Sequence, residues 1–402
     1  MDIQRLKGLV PAPGQDFDAK ACREAIPTLS RLAQTPQDPY YHAEGDVWIH
    51  TCMVVEALLA QPAYQHATEE QRFVLFFAAL LHDISKPDTT VIEAETGRIG
   101  QPGHSRRGAV DARLLLWRAG VPFPLRERIC RIISVHQLPF FALSGNRGGQ
   151  SPEFLLHKLS WELPIWMLCA VAEADMRGRF YEGKQGVLDE IELFRELAAE
   201  EGCLHGPRAF VDDHTRIHYF RGARVHPDYP LHEPEGSRVI VLSGLPASGK
   251  NTWASKYHPD LPVISFDDAR EALGLRHGEN EGAAAHFAID QAKVLLREKR
   301  PFVWNSTHLS AQMRKKTLDL LYAYQANVQI EYLEMPEKEI YRRNAARDTS
   351  LRNDDIRRML FKWEVPLPTE AHQVRYSCEQ GVSERRRTSD EEEGSTPSHR
   401  SG

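Results

Sequence analysis

The sequence predicts a multidomain protein, an all-α domain followed by an α/β domain built on a parallel sheet. Two observations carry that expectation. Between Gly45 and about Gly202 apolar residues recur at helical spacing, with turn chemistry at Gly120, Pro122, Pro124 and Gly183 between the runs. From Ser237 onward, short β-branched runs at 238–243, 262–265, 301–305 and 327–333 alternate with helix-compatible segments, the signature of parallel strands joined by crossover helices. A length of 402 residues suits two such domains.

Taken in order, residues 1–203 form the helical domain, with its core at about 40–180. Helical patterns cover 105–119, 124–137, 152–160, 164–178 and 186–200, and the run Phe73 to Leu81 is too apolar for a surface helix, which makes it a central one. Residues 204–236 are rich in His, Asp, Arg and Pro, so a linker or a docked arm is expected there. The α/β domain is assigned to 237–368. The charged, Ser- and Gly-rich remainder, 369–402, is expected to be a disordered tail.

Composition excludes some classes. A formal charge of −6 argues against a generally basic nucleic-acid coat, although local basic sites are compatible with it. Six scattered cysteines with no CxxC pair disfavour a zinc ribbon or a disulfide framework. Without an apolar leader or a run of the ~18 apolar residues that span a bilayer, a cytoplasmic protein with no membrane partner is expected.

The most specific signal is Val239-Ile240-Val241-Leu242-Ser243-Gly244-Leu245-Pro246-Ala247-Ser248-Gly249-Lys250-Asn251-Thr252. A strand, a glycine turn and a helix start in that order make a P-loop, in which Gly244, Ser248 and Gly249 let successive amides face one anion. Lys250 adds a point charge for the β- and γ-phosphates of ATP or another NTP. The residue after the lysine should be Ser or Thr to hold Mg²⁺. Here it is Asn251, with a hydroxyl only at Thr252, and Asn251 is expected to face the metal.

In the helical part, His82-Asp83 ends the apolar run, and His50, His104, His136 and Asp175 lie in polar breaks or patches around it. Imidazoles with intervening carboxylates suit a borderline divalent ion, and a carboxylate directly after a histidine can bridge two. In this order the residues resemble the HD phosphohydrolase superfamily over about 40–180, with Lys86 in His82-Asp83-Ile84-Ser85-Lys86-Pro87 included. The resemblance implies one or two divalent ions, with a transition metal such as Mn²⁺ favoured, held by His50, His82, Asp83 and Asp175, with His104 and His136 joining if two bind. The implied chemistry is phosphoester hydrolysis, with Lys86 balancing charge on the phosphate.

In the α/β part, Asp267 and Arg270 directly follow the second strand, at the sheet edge where ligands of such folds bind. Asp267 is a candidate base for an attacking hydroxyl or else an N-cap, and Arg270 a candidate grip on a substrate phosphate. Arg343 and Arg347 stand at i, i+4, where two like charges repel unless an anion lies between them. With the P-loop, Asp267 to Arg270, Thr307 and these arginines, segment 238–348 resembles the phage-type 5′-hydroxyl polynucleotide kinases.

An HD domain followed by such a kinase resembles the bacterial HD-type polynucleotide kinases. The resemblance implies a bifunctional enzyme that heals RNA or DNA ends, phosphorylating 5′-OH ends with an NTP and Mg²⁺ and hydrolysing 2′,3′-cyclic phosphate or 2′/3′-phosphate ends, with a ligase acting downstream. Two alternatives stay open on the residues alone. One is an HD nucleotide phosphohydrolase fused to a kinase for a nucleoside or sugar, the other a nucleotide-gated binding module.

Overall fold

A computed structural model of the protein describes residues 1–144, 150–232, 236–276, 278–346 and 351–378. The helical part is organised around the predicted central helix. α1 (Val47–Leu59) starts at Asp46, whose side chain accepts from the Ile49 amide, and α2 (Glu69–Leu81) opens with a capping box made by Thr68 and Gln71. Every residue from Phe73 to Leu81 is buried, as a run that is apolar on all sides requires. α3 (His104–Arg118) packs on α4 (Phe123–Val135), while α1, α4 and α5 (Ile165–Arg177) enclose α2. No single described helix is long and apolar enough to cross a membrane.

The segment after residue 203 is a docked arm rather than a linker. It forms α6 (Asp213–Phe220), capped by Asp212, with Arg216 2% exposed. Arg216 lies over the Trp161 ring at 4.2 Å and donates to the carbonyls of Pro368 (2.8 Å) and His372 (2.7 Å). The prolines that discouraged a helix fall on either side of α6, so they bound it instead of breaking it.

The α/β part follows the predicted alternation, with β1 (Arg238–Ser243), α7 (Lys250–Tyr257), β2 (Val263–Ser265), α8 (Phe266–Ala272), α9 (Glu281–Arg297) and β3 (Phe302–Asn305). α10 (Ala311–Ala323), β4 (Asn327–Glu334), α11 (Glu337–Ala345), α12 (Asn353–Leu360) and β5 (Gln373–Cys378) complete it. The strands are all parallel in the order β2-β3-β1-β4-β5. Strand order reverses at β1, so a crevice opens at its carboxyl end.

One expectation is corrected. The tail was expected from residue 369, but β5 pairs with β4 from Gln329↔Gln373 to Glu334↔Cys378, and residues 379–402 lie outside the described residues. The mixed charge of this segment hid a strand because it is an edge strand with one exposed side. Each half has its own core, one cluster running from Leu6 to Cys203 and another from Val239 to Ala371, and a further cluster bridges the two. Val110, Leu114 and Trp117 of α3 join Leu245, Tyr332, Ile340, Ile356, Leu360 and Trp363 in one apolar cluster, with Trp117 and Trp363 edge to face at 4.8 Å. Arg126 of α4 crosses the same joint to Glu334, with 2.7 and 2.6 Å bonds from its two terminal nitrogens.

Candidate active sites

Helix ends build the first site. His82 and His136 are the C-cap residues of α2 and α4, where backbone carbonyls lack helical partners. Their Nδ1 atoms meet Ala79 O at 2.7 Å and Ile133 O at 2.8 Å, and Nδ1 of His104, the first residue of α3, meets Gln101 O at 2.8 Å. Nδ1 of His50 lies 3.2 Å from Gly178 O and 3.0 Å from Glu44 Oε1. These contacts leave Nε2 of His50, His82 and His136 bare and pointing inward, as metal-binding histidines require, while Nε2 of His104 meets Ser105 Oγ at 3.2 Å.

Nε2 of His50 lies 3.1 Å from Asp175 and 3.8 Å from Asp83; that of His82 is 3.0 Å from Asp83. Nε2 of His104 is 3.5 Å from Asp83, and that of His136 is 3.7 Å from Asp175. The structure thus brings together all six residues proposed from the sequence as ligands. Three overlapping triads, His50-His82-Asp83, His82-His136-Asp175 and Asp83-His104-His136, each hold their donor atoms within 4.8 Å of one another.

A divalent ion fits this donor set. Nε2 of His50, His82 and His136, both Asp83 oxygens and Asp175 Oδ2 are buried without a hydrogen bond of good geometry, a deficit that costs several kcal/mol unless a cation meets it. Burial holds His104 below its ordinary pKa and pushes His136 down to about 3, so both present neutral imidazoles. Burial acts the same way on His82, but Asp83 beside it wins and raises its pKa. Burial would raise both aspartates, yet His82 and Lys86 hold Asp83, and Arg179 and His50 hold Asp175, well below the carboxylate range.

Lys86 is committed within the site. Its Nζ sits 2.8 Å from Asp83 and 2.7 Å from Gln37 Oε1. Three partners escaped the sequence analysis. Arg179 puts Nε and Nη2 on Asp175 Oδ1 at 2.9 and 2.6 Å, and its i, i+4 spacing from Asp175 was a legible signal. Glu44 and His42 form an outer layer, with Glu44 Oε1 between His42 Nδ1 (2.8 Å) and His50. Both sit on a loop with no periodicity, so nothing in the sequence pairs them with His50.

The second site lies at the carboxyl end of the sheet. Gly244 has φ 149°, and a Cβ there would stand 2.3 Å from Leu333 O, so glycine is required. Ala247 and Gly249 also have positive φ, 61° and 95°, and the loop curls back onto α7. Lys250 Nζ folds onto its own loop, donating to Gly244 O (3.0 Å) and Leu245 O (2.8 Å). Ser248 Oγ is buried in the same loop without a hydrogen-bond partner.

Around the loop, Asn305 at the end of β3 donates to Asn251 Oδ1, and Thr307 O accepts from the Gly244 amide at 2.9 Å. Thr252 is exposed on α7. Arg343 of α11 reaches within 3.5 Å of where a Gly249 Cβ would stand, and its Nε pairs with Glu339. Arg347 lies outside the described residues.

Asp267 opens the first turn of α8 but does not cap it. Ser265 does, accepting from the Asp268 amide at 3.0 Å, while the Asp267 side chain is 73% exposed. Arg270 is pinned between Asp267 and Glu281 (2.7 Å to the latter), so its grip on a substrate phosphate would require it to leave one carboxylate.

Comparison with known proteins agrees with this division. Residues 47–156 match the HD domain family and residues 239–366 match an AAA domain family. The chain therefore joins an HD domain to a P-loop, kinase-like α/β domain. It is 34% identical over 117 residues to the Multifunctional CCA protein of Halorhodospira halophila, covering 29% of this chain and 24% of that one. It is 30% identical over 167 residues to that of Hahella chejuensis (40% and 36%) and 32% identical over 132 residues to that of Methylococcus capsulatus (32% and 28%). The chain thus spans between 24% and 36% of the length of these relatives.

Proposed function

We propose that the protein is a bifunctional nucleic-acid end-healing enzyme. Its α/β domain transfers the γ-phosphate of an NTP to a 5′-OH end, and its HD domain hydrolyses 2′,3′-cyclic phosphate or 2′/3′-phosphate ends. The observation that carries the reading is the joining, in one chain, of an inward-facing cluster of four imidazoles and two carboxylates to a P-loop with an exposed carboxylate at a neighbouring strand end. The name of the relatives, Multifunctional CCA protein, is compatible with nucleic-acid processing.

In the HD domain, His50, His82, Asp83 and Asp175, with His104 and His136, would hold one or two divalent ions. Such ions would supply Lewis acidity at the phosphoryl oxygen and would ease deprotonation of the attacking water near neutral pH. Lys86 steadies Asp83 and offsets negative charge at the phosphate, and Arg179 turns the second oxygen of Asp175 inward. In the kinase domain, the loop amides and Lys250 bind the donor phosphates, Lys250 first leaving its loop carbonyls. Asp267 accepts the proton of the attacking hydroxyl, Arg270 holds the neighbouring substrate phosphate, and Arg343 with Arg347 neutralises the transferring group.

Such a pair leaves 5′-phosphate and 3′-OH ends, the substrates of a ligase, a chemistry that suits nucleic-acid repair. The test uses γ-labelled ATP and matched RNA and DNA strands bearing a 5′-OH and a 3′-terminal phosphate. Label on the strand and release of its terminal phosphate are expected; label only on nucleosides or sugars overturns the reading.

A further inference from the structure

A group of aromatic side chains at the outer layer of the HD site takes no part in the chemistry above. Tyr40 is 66% exposed, Phe180 59% and Phe141 51%, large apolar faces that folding leaves in water. Tyr41 and Tyr181 join Tyr40 in one cluster, with ring centroids 4.8 Å (Tyr40 to Tyr41), 5.8 Å (Tyr40 to Tyr181) and 5.4 Å (Tyr41 to Tyr181) apart.

The backbone ties this cluster to the centre from two sides. Tyr41 precedes His42, whose ring stands 4.7 Å from that of His50. The Phe180 amide donates to Glu44 Oε2 at 2.9 Å while Glu44 Oε1 holds His50, and the Ala43 amide donates to Phe180 O at 3.2 Å. Arg179, next to Phe180, holds Asp175 and lies over Phe140, the neighbour of Phe141, at 5.4 Å. Tyr181 is seated by a glycine, since a Cβ at Gly183 would stand 2.4 Å from its Oη. Beside the cluster Arg98, its side chain 64% exposed, lies 3.7 Å from Asp38 and brings a cation to the rim.

We infer that Tyr40, Tyr41, Phe180 and Tyr181 form a stacking platform for the bases next to the phosphorylated terminus of a single-stranded nucleic acid held in the HD site. The inference rests on the proposed phosphohydrolase reading and names what holds its substrate. A strand whose terminal phosphate reaches the buried cluster must leave its following bases outside, and every base has a flat face that an aromatic ring can meet regardless of sequence. Arg98 matches the charge of the strand's backbone. A small phosphate ester needs none of these rings.

The test compares full-length wild type, Tyr40→Ala, Phe180→Ala and Tyr40→Phe on a 3′-phosphorylated oligonucleotide and on p-nitrophenyl phosphate. The ratio of kcat/KM for the oligonucleotide to that for the small ester should fall about tenfold in each alanine variant, through KM, and be retained in Tyr40→Phe. Quenching of 2-aminopurine at the terminal base should weaken in parallel. An unchanged ratio in both alanine variants overturns the inference, as does a loss of self-association in Tyr40→Ala with the ratio intact, which would make this face a contact between copies. If wild type cleaves the small ester but no oligonucleotide end, the proposed function itself fails, and the platform with it.

Discussion

Asn305 holds the side-chain oxygen of Asn251 through a 2.8 Å hydrogen bond, joining the end of β3 to the first turn of α7 at the position where a P-loop ordinarily carries a hydroxyl. An amide oxygen is a Mg²⁺ ligand by chemistry, and Asn305 fixes which way it points. Asn251→Ala should raise the Mg²⁺ concentration for half-maximal kinase rate, Asn305→Ala should raise it less, Asn251→Ser should be tolerated, and Thr252→Ala should be the milder alanine change at the motif. A Mg²⁺ titration of the four variants checks this, and an unchanged requirement in Asn251→Ala rules out the role.

Capping and chemistry at α8 fall on different residues. Ser265→Ala should cost about 1 kcal/mol of stability through the lost cap. Asp267→Asn should instead lower the kinase rate ~10²–10⁴-fold with little change in Tm, because its side chain is exposed and caps nothing. Thermal melts and kinase assays on the two variants separate the roles.

Much of this was legible before folding. The P-loop is read from local sequence because it is a strand-to-helix turn, where spacing dictates geometry, whereas the candidate metal ligands, spread from His50 to Asp175, are gathered only by their resemblance to the HD pattern. The pairings of Glu44, Asn305 and Glu281 were invisible because these residues reach their partners across the fold, from a loop, a strand end and a separate helix. β5 was missed for a related reason: an edge strand keeps polar side chains on its wet side, so its composition is that of a tail.

Metal content and activity should separate by domain. Asp83→Ala should lose bound Mn²⁺, measured by elemental analysis after gel filtration, and lose phosphate release, while its kinase activity stays within about twofold. Lys250→Ala should do the reverse, since neither residue belongs to the shared apolar cluster. Loss of both activities in a folded variant would refute two independent centres.

Acid should destabilise the α/β domain through His308. Burial lowers its pKa from 6.5 to about 4 while Nδ1 meets Leu242 O at 2.9 Å and Nε2 meets Thr317 Oγ1 at 3.0 Å. The unfolded chain then binds the extra proton between those values, so stability is full above about pH 6.5, falls as pH drops, and has lost on the order of 3 kcal/mol below about pH 4. Denaturant unfolding of wild type and His308→Gln across this range should show a shallower pH slope in the variant.

The packing of Trp117 against Trp363, with Arg126 reaching Glu334 beside it, bears on how such a gene can change. Cutting the chain between residues 203 and 237 would leave Val110, Leu114 and Trp117 wet on one product and Leu245, Ile340 and Trp363 wet on the other. It would also break the Arg126–Glu334 pair, leaving Arg126 with Glu127 alone. Neither half is a cassette that recombination can lift out intact. A lineage that dispensed with one chemistry would be expected to keep that domain as an inactive scaffold, its ligands eroded and its joint preserved.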